Sequence, residues 1–222
     1  MKKISLFLFI ILLCFGFMKH LQWKKEFQLT PETLKTHHYV KLDEVPDTFK
    51  KTIVATEDER FYSHMGIDPI GILRVFYRAA LNGGFTEGGS TITQQVVKNT
   101  FLTQEKTAKR KLKEIPIAIY IDGRYSKDDI LEYYLNLIYF GEGAYGIKDA
   151  AKTFFGKNVE DLSLDEIALL AGMPQAPSAY SPKEHMDKAL ERRNIVLGIM
   201  KKENIITTEQ YNKLKKKPIV LK

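Results

Sequence analysis

Apolar positions recur at helical spacing through most of the chain. Phe49, Ile53, Val54 and Phe61 fall on one stripe at about 100° per residue. With Pro46 just ahead and Asp47 as N-cap, that stripe predicts a helix starting at Asp47. Glu57 falls near the centre of the stripe, Asp58 at its edge and Glu59 on the far side, while His64 returns to the same side if the helix persists. Lys50 shares the stripe and blurs it. Two readings of Glu57 stand here. It is a carboxylate held against apolar neighbours, which raises its pKa and makes it a usable base near neutral pH, or it is a frayed helix end in water.

Further helical periods follow. In "GIDPIGILRVFYRAALNGG" Asp68 is the expected N-cap, Pro69 the first helical residue and glycine the stop. "GGFTEGGSTITQQVVKN" reads as a glycine-rich loop entering a helix with Thr91 and Gln94 as a capping box. "KTAKRKLKEIPIAIYID", "SKDDILEYYLNLIYFG" and "GIKDAAKTFFG" are helical in period, and Ser163 with Glu166 makes another capping box before "LDEIALLAG". "MPQAPSAYSP" is a proline loop, and two more helical patterns follow it. With no convincing alternating strands, repeats or low-complexity tracts, the expected class is mainly α.

Several of these helices carry a polar stripe. Thr91, Gln94, Gln95 and Lys98 line up, with Asn99 at the margin. On the next helix Ala108, Leu112, Ile115 and Ile119 make the apolar side, and Arg110, Lys113 and Glu114 the other. Glu132, Asn136 and Tyr139 repeat the pattern. Each stripe alone fits a solvated face with i,i+4 pairs such as Arg110 and Glu114. Three of them beside an inward Glu57 point to a shared cleft, in which one carboxylate takes a proton from an attacking hydroxyl. Cations and helix N-terminal amides would then stabilise charge on a departing phosphate. Glycine at residues 83–89 would let backbone N–H groups approach such a ligand. "GGFTEGGST" lacks the Walker spacing, and no strand precedes it.

The first apolar run, "ISLFLFIILLCFGFM", follows Lys2 and Lys3 and precedes "KHLQWKK". Fifteen residues span only about 22 Å as a helix, against roughly 30 Å of hydrocarbon. A signal peptide therefore competes with an uncleaved anchor. No small-x-small cleavage site follows, and Lys19, Trp23 and Lys24 suit an interface, so residues 1–20 are expected to anchor the chain. Residues 21–40 are then a juxtamembrane connector and residues 41–222 the functional domain, on the extracytoplasmic face. The formal charge of +7 over 222 residues predicts an anionic partner. The lone Cys14 excludes a disulfide framework or a zinc-ligand cluster.

"EDERFYSHMGID", "GGSTITQQVVKN", "RKLKE", "ILEYYLN" and "LLAGMPQAPSAYSP" closely resemble, in the same order, the five sequence blocks of the peptidoglycan glycosyltransferases. The match runs from about residue 40 to the C-terminal region. The resemblance implies a lysozyme-like two-lobed fold behind an N-terminal transmembrane helix. It also implies polymerisation of lipid II into β-1,4 glycan strands at the outer face of a bacterial cytoplasmic membrane, with inversion and release of undecaprenyl pyrophosphate. Glu57 matches the family's catalytic base and Glu114 its second glutamate. Lys98, Lys106 and Arg110 match its phosphate-facing cations, and Ser90, Gln94 and Asn99 its donor-site polar residues. Residues 70–88 match its membrane-facing part. His64 is read as a structural hydrogen-bonding residue.

No Ser-x-x-Lys, Ser-Asp-Asn or Lys-Thr-Gly set occurs, so the monofunctional form is expected. No cofactor is required, though a divalent cation, Mg or Mn, at the pyrophosphate stays open. Expected partners are lipid II, the growing glycan chain and membrane lipids, with other cell-wall synthesis proteins left open and nucleic acid not expected. Two rival readings remain. A lysozyme-like lytic enzyme would cleave preformed glycan, and a basic, membrane-anchored binding module would use "KTAKRKLK" and "KLKKK" only to contact lipid.

Overall fold

The computed structural model describes residues 22–34, 36, 38–82, 89–103 and 107–222. The expected anchor (1–20), most of the glycine-rich loop (83–88) and Lys106 lie outside the described residues. The chain divides into two compact units, Met1–Thr33 and Leu34–Lys222. In the first, residues 22–26 are helical and Pro31–Thr33 forms a 3-10 turn. Among the described residues no helix is long and apolar enough to cross a membrane.

The second unit is mainly helical. Its helices are α1 (Asp47–Glu57), α2 (Pro69–Asn82), α3 (Ile92–Phe101), α4 (Ala108–Asp122), α5 (Lys127–Leu137), α6 (Ile147–Phe155), α7 (Leu164–Gly172), α8 (Met186–Lys202) and α9 (Thr208–Leu214). α7 packs on α1 and α8, and α3 packs on α4 and α5. The core between them is fully buried at Phe49, Ile53, Phe61, Ile92, Val96 and Ile121.

α1 begins one residue earlier in the capping scheme than its sequence suggests. Pro46 takes the N-cap position with no side-chain cap bond, and Asp47, inside the helix, pairs with Lys50 at 2.7 Å. Proline supplies the extended entry without needing its missing N–H. The helix stops at Glu57, and a 3-10 turn at Phe61–Ser63 places Phe61 in the core instead. Asp68 does cap α2, its Oδ1 accepting from Gly71 N at 2.9 Å, and both arms of the Thr91/Gln94 capping box form. Glu166 closes back onto Ser163 N at 2.8 Å.

Other expectations fail more plainly. The helical period in "SKDDILEYYLNLIYFG" runs past the real helix end at Leu137. Tyr139–Gly141 (β1) instead pairs antiparallel with Ala144–Tyr145 (β2). Gly141, Glu142 and Gly143 adopt φ of 94°, 53° and 76°, a left-handed turn that no helix can continue through. The second failure is the face of α4. Glu114, Ile117, Ala118 and Ile121 are buried, whereas Leu112 is 72% and Ile119 43% exposed. Both stripes obey helical spacing. The inner one contains a carboxylate, so a count of apolar residues selects the outer one. The inner face also needs backbone contact, because a Cβ at Gly66 (φ +77°) would lie 2.4 Å from Ala118 O.

The third polar stripe serves the chain itself. Asn136 bonds Val40 N and Val40 O, each at 2.8 Å, and Glu132 accepts from Leu42 N at 2.7 Å and from the Tyr39 hydroxyl. These bonds pin residues 39–42 along α5, so this stripe does not line a cleft. Arg193, fully buried, donates to Lys217 O at 2.7 Å and Lys215 O at 3.3 Å and so holds the segment after α9.

Candidate active site

Glu57 ends α1, where the backbone turns away and leaves its side chain half-buried. Its Oε2 accepts a 2.8 Å bond from Gln95 Nε2 on α3. Burial pushes the Glu57 carboxyl above its ordinary value and Asp58 adds to this, while the Gln95 bond and the charges of Arg192 and Lys98 oppose it; the balance stays raised. Glu57 is thus a carboxylate whose affinity for a proton is strengthened by desolvation and restrained by three polar neighbours.

Asp58, placed at the stripe's edge by the sequence, is 6% exposed and holds the turn after α1. Its Oδ2 accepts from Ile92 N at the start of α3 at 3.0 Å, and His64 Nε2 donates to its two oxygens at 3.0 and 2.9 Å. One carboxylate thereby fixes the end of α1 against the start of α3, which sets the Glu57–Gln95 distance. His64 thus makes the hydrogen bond that its structural reading requires. Glu59 pairs with Arg74 at 2.8 Å and Lys202 at 2.9 Å.

A second cluster forms on α4. Glu114 is 1% exposed, and its Oε1 accepts from Lys111 Nζ, which also donates to Ser90 Oγ at 2.9 Å. Ser90 in turn lines a small cleft together with Glu57, Asp58 and Thr91. The structure therefore links Glu57, Ser90 and Glu114 through neighbouring groups. Lys98 and Asn99 are half-buried on α3, and Lys98 lies close enough for its charge to act on Glu57. Arg110 is half-buried in the first turn of α4, where Thr107 Oγ1 caps its backbone N–H at 3.1 Å and its own Nε is buried without a partner. Gln94 differs from the rest. It is 1% exposed and its Oε1 is committed to Thr91 N at 3.0 Å, so it supports the start of α3 from beneath.

Sequence reasoning missed three contributors. Lys111 sits three residues before Glu114, a helical neighbour in plain view. Arg192, on α8, reaches the Glu57 region from far along the chain, and no local spacing announces it. Its Nε donates to Gly172 O at 2.9 Å and its guanidinium stacks 5.6 Å from the Tyr180 ring. Burial draws its pKa down while Glu57 and Tyr180 hold it up. Tyr134 is fully buried, its hydroxyl has no partner, and burial with help from Glu57 and Asp58 raises its pKa well above the ordinary value.

A desolvated carboxylate at a helix end, with the charges of an arginine and a lysine acting on it, has the chemistry to take up a proton beside an anionic group. Comparisons with known proteins place the chain in a family. The transglycosylase family profile matches residues 25–201. Penicillin-binding protein 1A/1B of Bacillus subtilis is 53% identical over 179 residues, 80% of this chain and 20% of that protein. Penicillin-binding protein 1A of Aquifex aeolicus is 50% identical over 192 residues (85% and 26%), and that of Escherichia coli 47% over 180 residues (81% and 21%). The crystal structure of penicillin-binding protein 1A from Haemophilus influenzae aligns with a TM-score of 0.49 at 26% identity, over 83% of this chain and 18% of that one. On the sequence matches, the chain belongs to the transglycosylase family of peptidoglycan glycosyltransferases. It spans between a fifth and about a quarter of the length of these curated relatives.

Proposed function

We propose that this domain polymerises lipid II into β-1,4-linked glycan strands, with Glu57 as general base. The observation that carries the reading is the Glu57 carboxyl itself, raised by burial, held by Gln95, and faced by Arg192 and Lys98. Glu57 takes the proton of the acceptor's sugar hydroxyl as that oxygen attacks the donor's anomeric carbon. The bond from that carbon to the pyrophosphate breaks with inversion, and its electron pair leaves on undecaprenyl pyrophosphate. Lys98, Lys106, Arg110 and Arg192 stabilise the departing charge, and Glu114, through Lys111 and Ser90, orients groups beside it. Among the described residues no group of three or more His, Cys, Asp or Glu is arranged to hold a metal ion. A Mg or Mn ion at the pyrophosphate would therefore be held chiefly by phosphate oxygens.

The domain works at the extracytoplasmic face of the cytoplasmic membrane, where its substrate resides. Ile70, Leu73 and Tyr77 support the membrane part of this reading, since they recur on one face of α2 and are each more than 60% exposed, an apolar stripe suited to the lipid boundary. The test is to incubate the full chain in detergent with labelled lipid II and, separately, with preformed peptidoglycan. Polymer from lipid II is expected. Fragments from preformed peptidoglycan without polymer would replace this reading with the lytic one.

A further inference from the structure

One carboxylate at the cleft is tied to two helices at once. Glu59, two residues beyond the proposed base, lines the small cleft together with Glu57, Ser90 and Arg74. Its Oε2 accepts from Arg74 Nη1 on α2 at 2.8 Å, and its Oε1 accepts from Lys202 Nζ on α8 at 2.9 Å. Lys202, and then Arg74, draw the Glu59 carboxyl below its ordinary value, so it is ionised at neutral pH. The Glu59–Arg74 pair is open to water, with side chains 35% and 39% exposed. An ion pair in that setting shifts an equilibrium by only about fivefold or less, so it is readily exchanged.

Arg74 is half committed. Its neighbour Arg60 spends three N–H···O bonds on Asp68, the N-cap of α2. Arg74 gives Glu59 one, and its Nε is buried without a partner. A guanidinium is a planar fork that suits phosphate as well as carboxylate. A phosphate group entering the cleft beside Ser90 therefore meets a cation with a donor to spare, and Glu59 is the anion already on it. α2 is free to adjust during an exchange, because among the described residues no other element packs extensively on it. Glu59 is not stranded by the exchange either, since Lys202 stays on its other oxygen.

We propose that Glu59 is an internal competitor for the substrate's phosphates: it neutralises Arg74 before a donor binds, yields Arg74 to the pyrophosphate, and takes it back as that pyrophosphate leaves. The contact thereby weakens the hold on the departing product. The inference rests on the polymerase reading for the identity of the ligand, while the exchange itself is a matter of anion binding.

The test uses the full chain in detergent with inorganic pyrophosphate as the probe, binding being read by isothermal titration calorimetry and polymerisation of labelled lipid II separately. The variants are Glu59→Gln, Arg74→Gln, the two combined, and Glu203→Gln, which removes the other carboxylate on Lys202 without touching Arg74. Glu59→Gln keeps the side chain's shape at an exposed position, and Glu59→Ala, carried beside it, should behave alike. Removing the competitor should tighten pyrophosphate binding by about two- to fivefold, the range of an exposed ion pair. The gain should be absent in the Arg74→Gln background and in Glu203→Gln. Unchanged or weaker binding by both Glu59 variants would overturn the proposal, as would a complete lack of pyrophosphate binding in wild type and variants. A gain that persists without Arg74, or that Glu203→Gln reproduces, would also overturn it, because it marks a general change of charge. An Arg74-dependent gain without polymer from lipid II would keep the competitor and remove the polymerase reading. Polymer without such a gain would do the reverse.

Discussion

The bond from Gln95 Nε2 to Glu57 Oε2 is the contact most directly tied to the acidity of the proposed base. It favours the ionised carboxylate and so holds the Glu57 pKa below the level that burial alone would set. Gln95→Leu keeps the side chain's approximate volume and removes the donor. A hydrogen bond to a charged group has a net worth of about 1.5–3 kcal/mol, and one pKa unit corresponds to about 1.4 kcal/mol. At a half-buried position water recovers part of that, so the expected rise is about one unit. The sign follows from the base's role. Glu57 acts when deprotonated, so the acid limb of the rate profile should move to higher pH by about one unit, with the rate at the alkaline plateau largely preserved. The assay is lipid II polymerisation by wild type and variant across a pH series. A limb that stays in place while the plateau falls, or one that moves to lower pH, would refute the reasoning.

Three further outcomes follow from the same contacts. Glu57→Gln should raise the melting temperature at neutral pH, because a carboxyl whose folded pKa lies above its unfolded value destabilises the fold once ionised. That penalty fades as pH falls through the folded pKa, so the gain should vanish in acid; a stabilisation that instead grows in acid would contradict it. Lys111→Met leaves the buried Glu114 without its cation and, with the Lys111 side chain partly in solvent, should cost about 1–2 kcal/mol in denaturant unfolding, partly restored by adding Glu114→Gln; no loss would mean that Lys111 is dispensable there. Asp58→Ala strips the acceptor from Ile92 N and His64 Nε2 and should cost about 2–4 kcal/mol, with weakened amide-exchange protection at the start of α3; unchanged protection would remove its proposed role.

The helices and their caps were legible because they depend on local chemistry. Asp68 at α2, the box at α3 and the Glu166 bond at α7 all sit where short-range spacing puts them. Glu57 was legible as an inward carboxylate because it breaks an apolar stripe. The face of α4 was not, since both candidate stripes satisfy the helical period and only tertiary packing on α3 and Gly66 chooses between them. The β1–β2 hairpin was hidden by aromatic residues that suit helix and strand alike, with the decision made by positive φ at Gly141–Gly143. Arg192 illustrates the general limit, because a residue that meets Glu57 only through the packing of α8 leaves no mark near Glu57 in the sequence.

The most direct test of Glu57 as general base is a single-turnover comparison of wild type and Glu57→Gln with labelled lipid II, products being separated by size. Glutamine keeps the shape and the contact with Gln95 but cannot take a proton, so the rate should fall by about 10²–10⁴-fold while the fold persists. Polymer formed by Glu57→Gln at the wild-type rate would contradict the account.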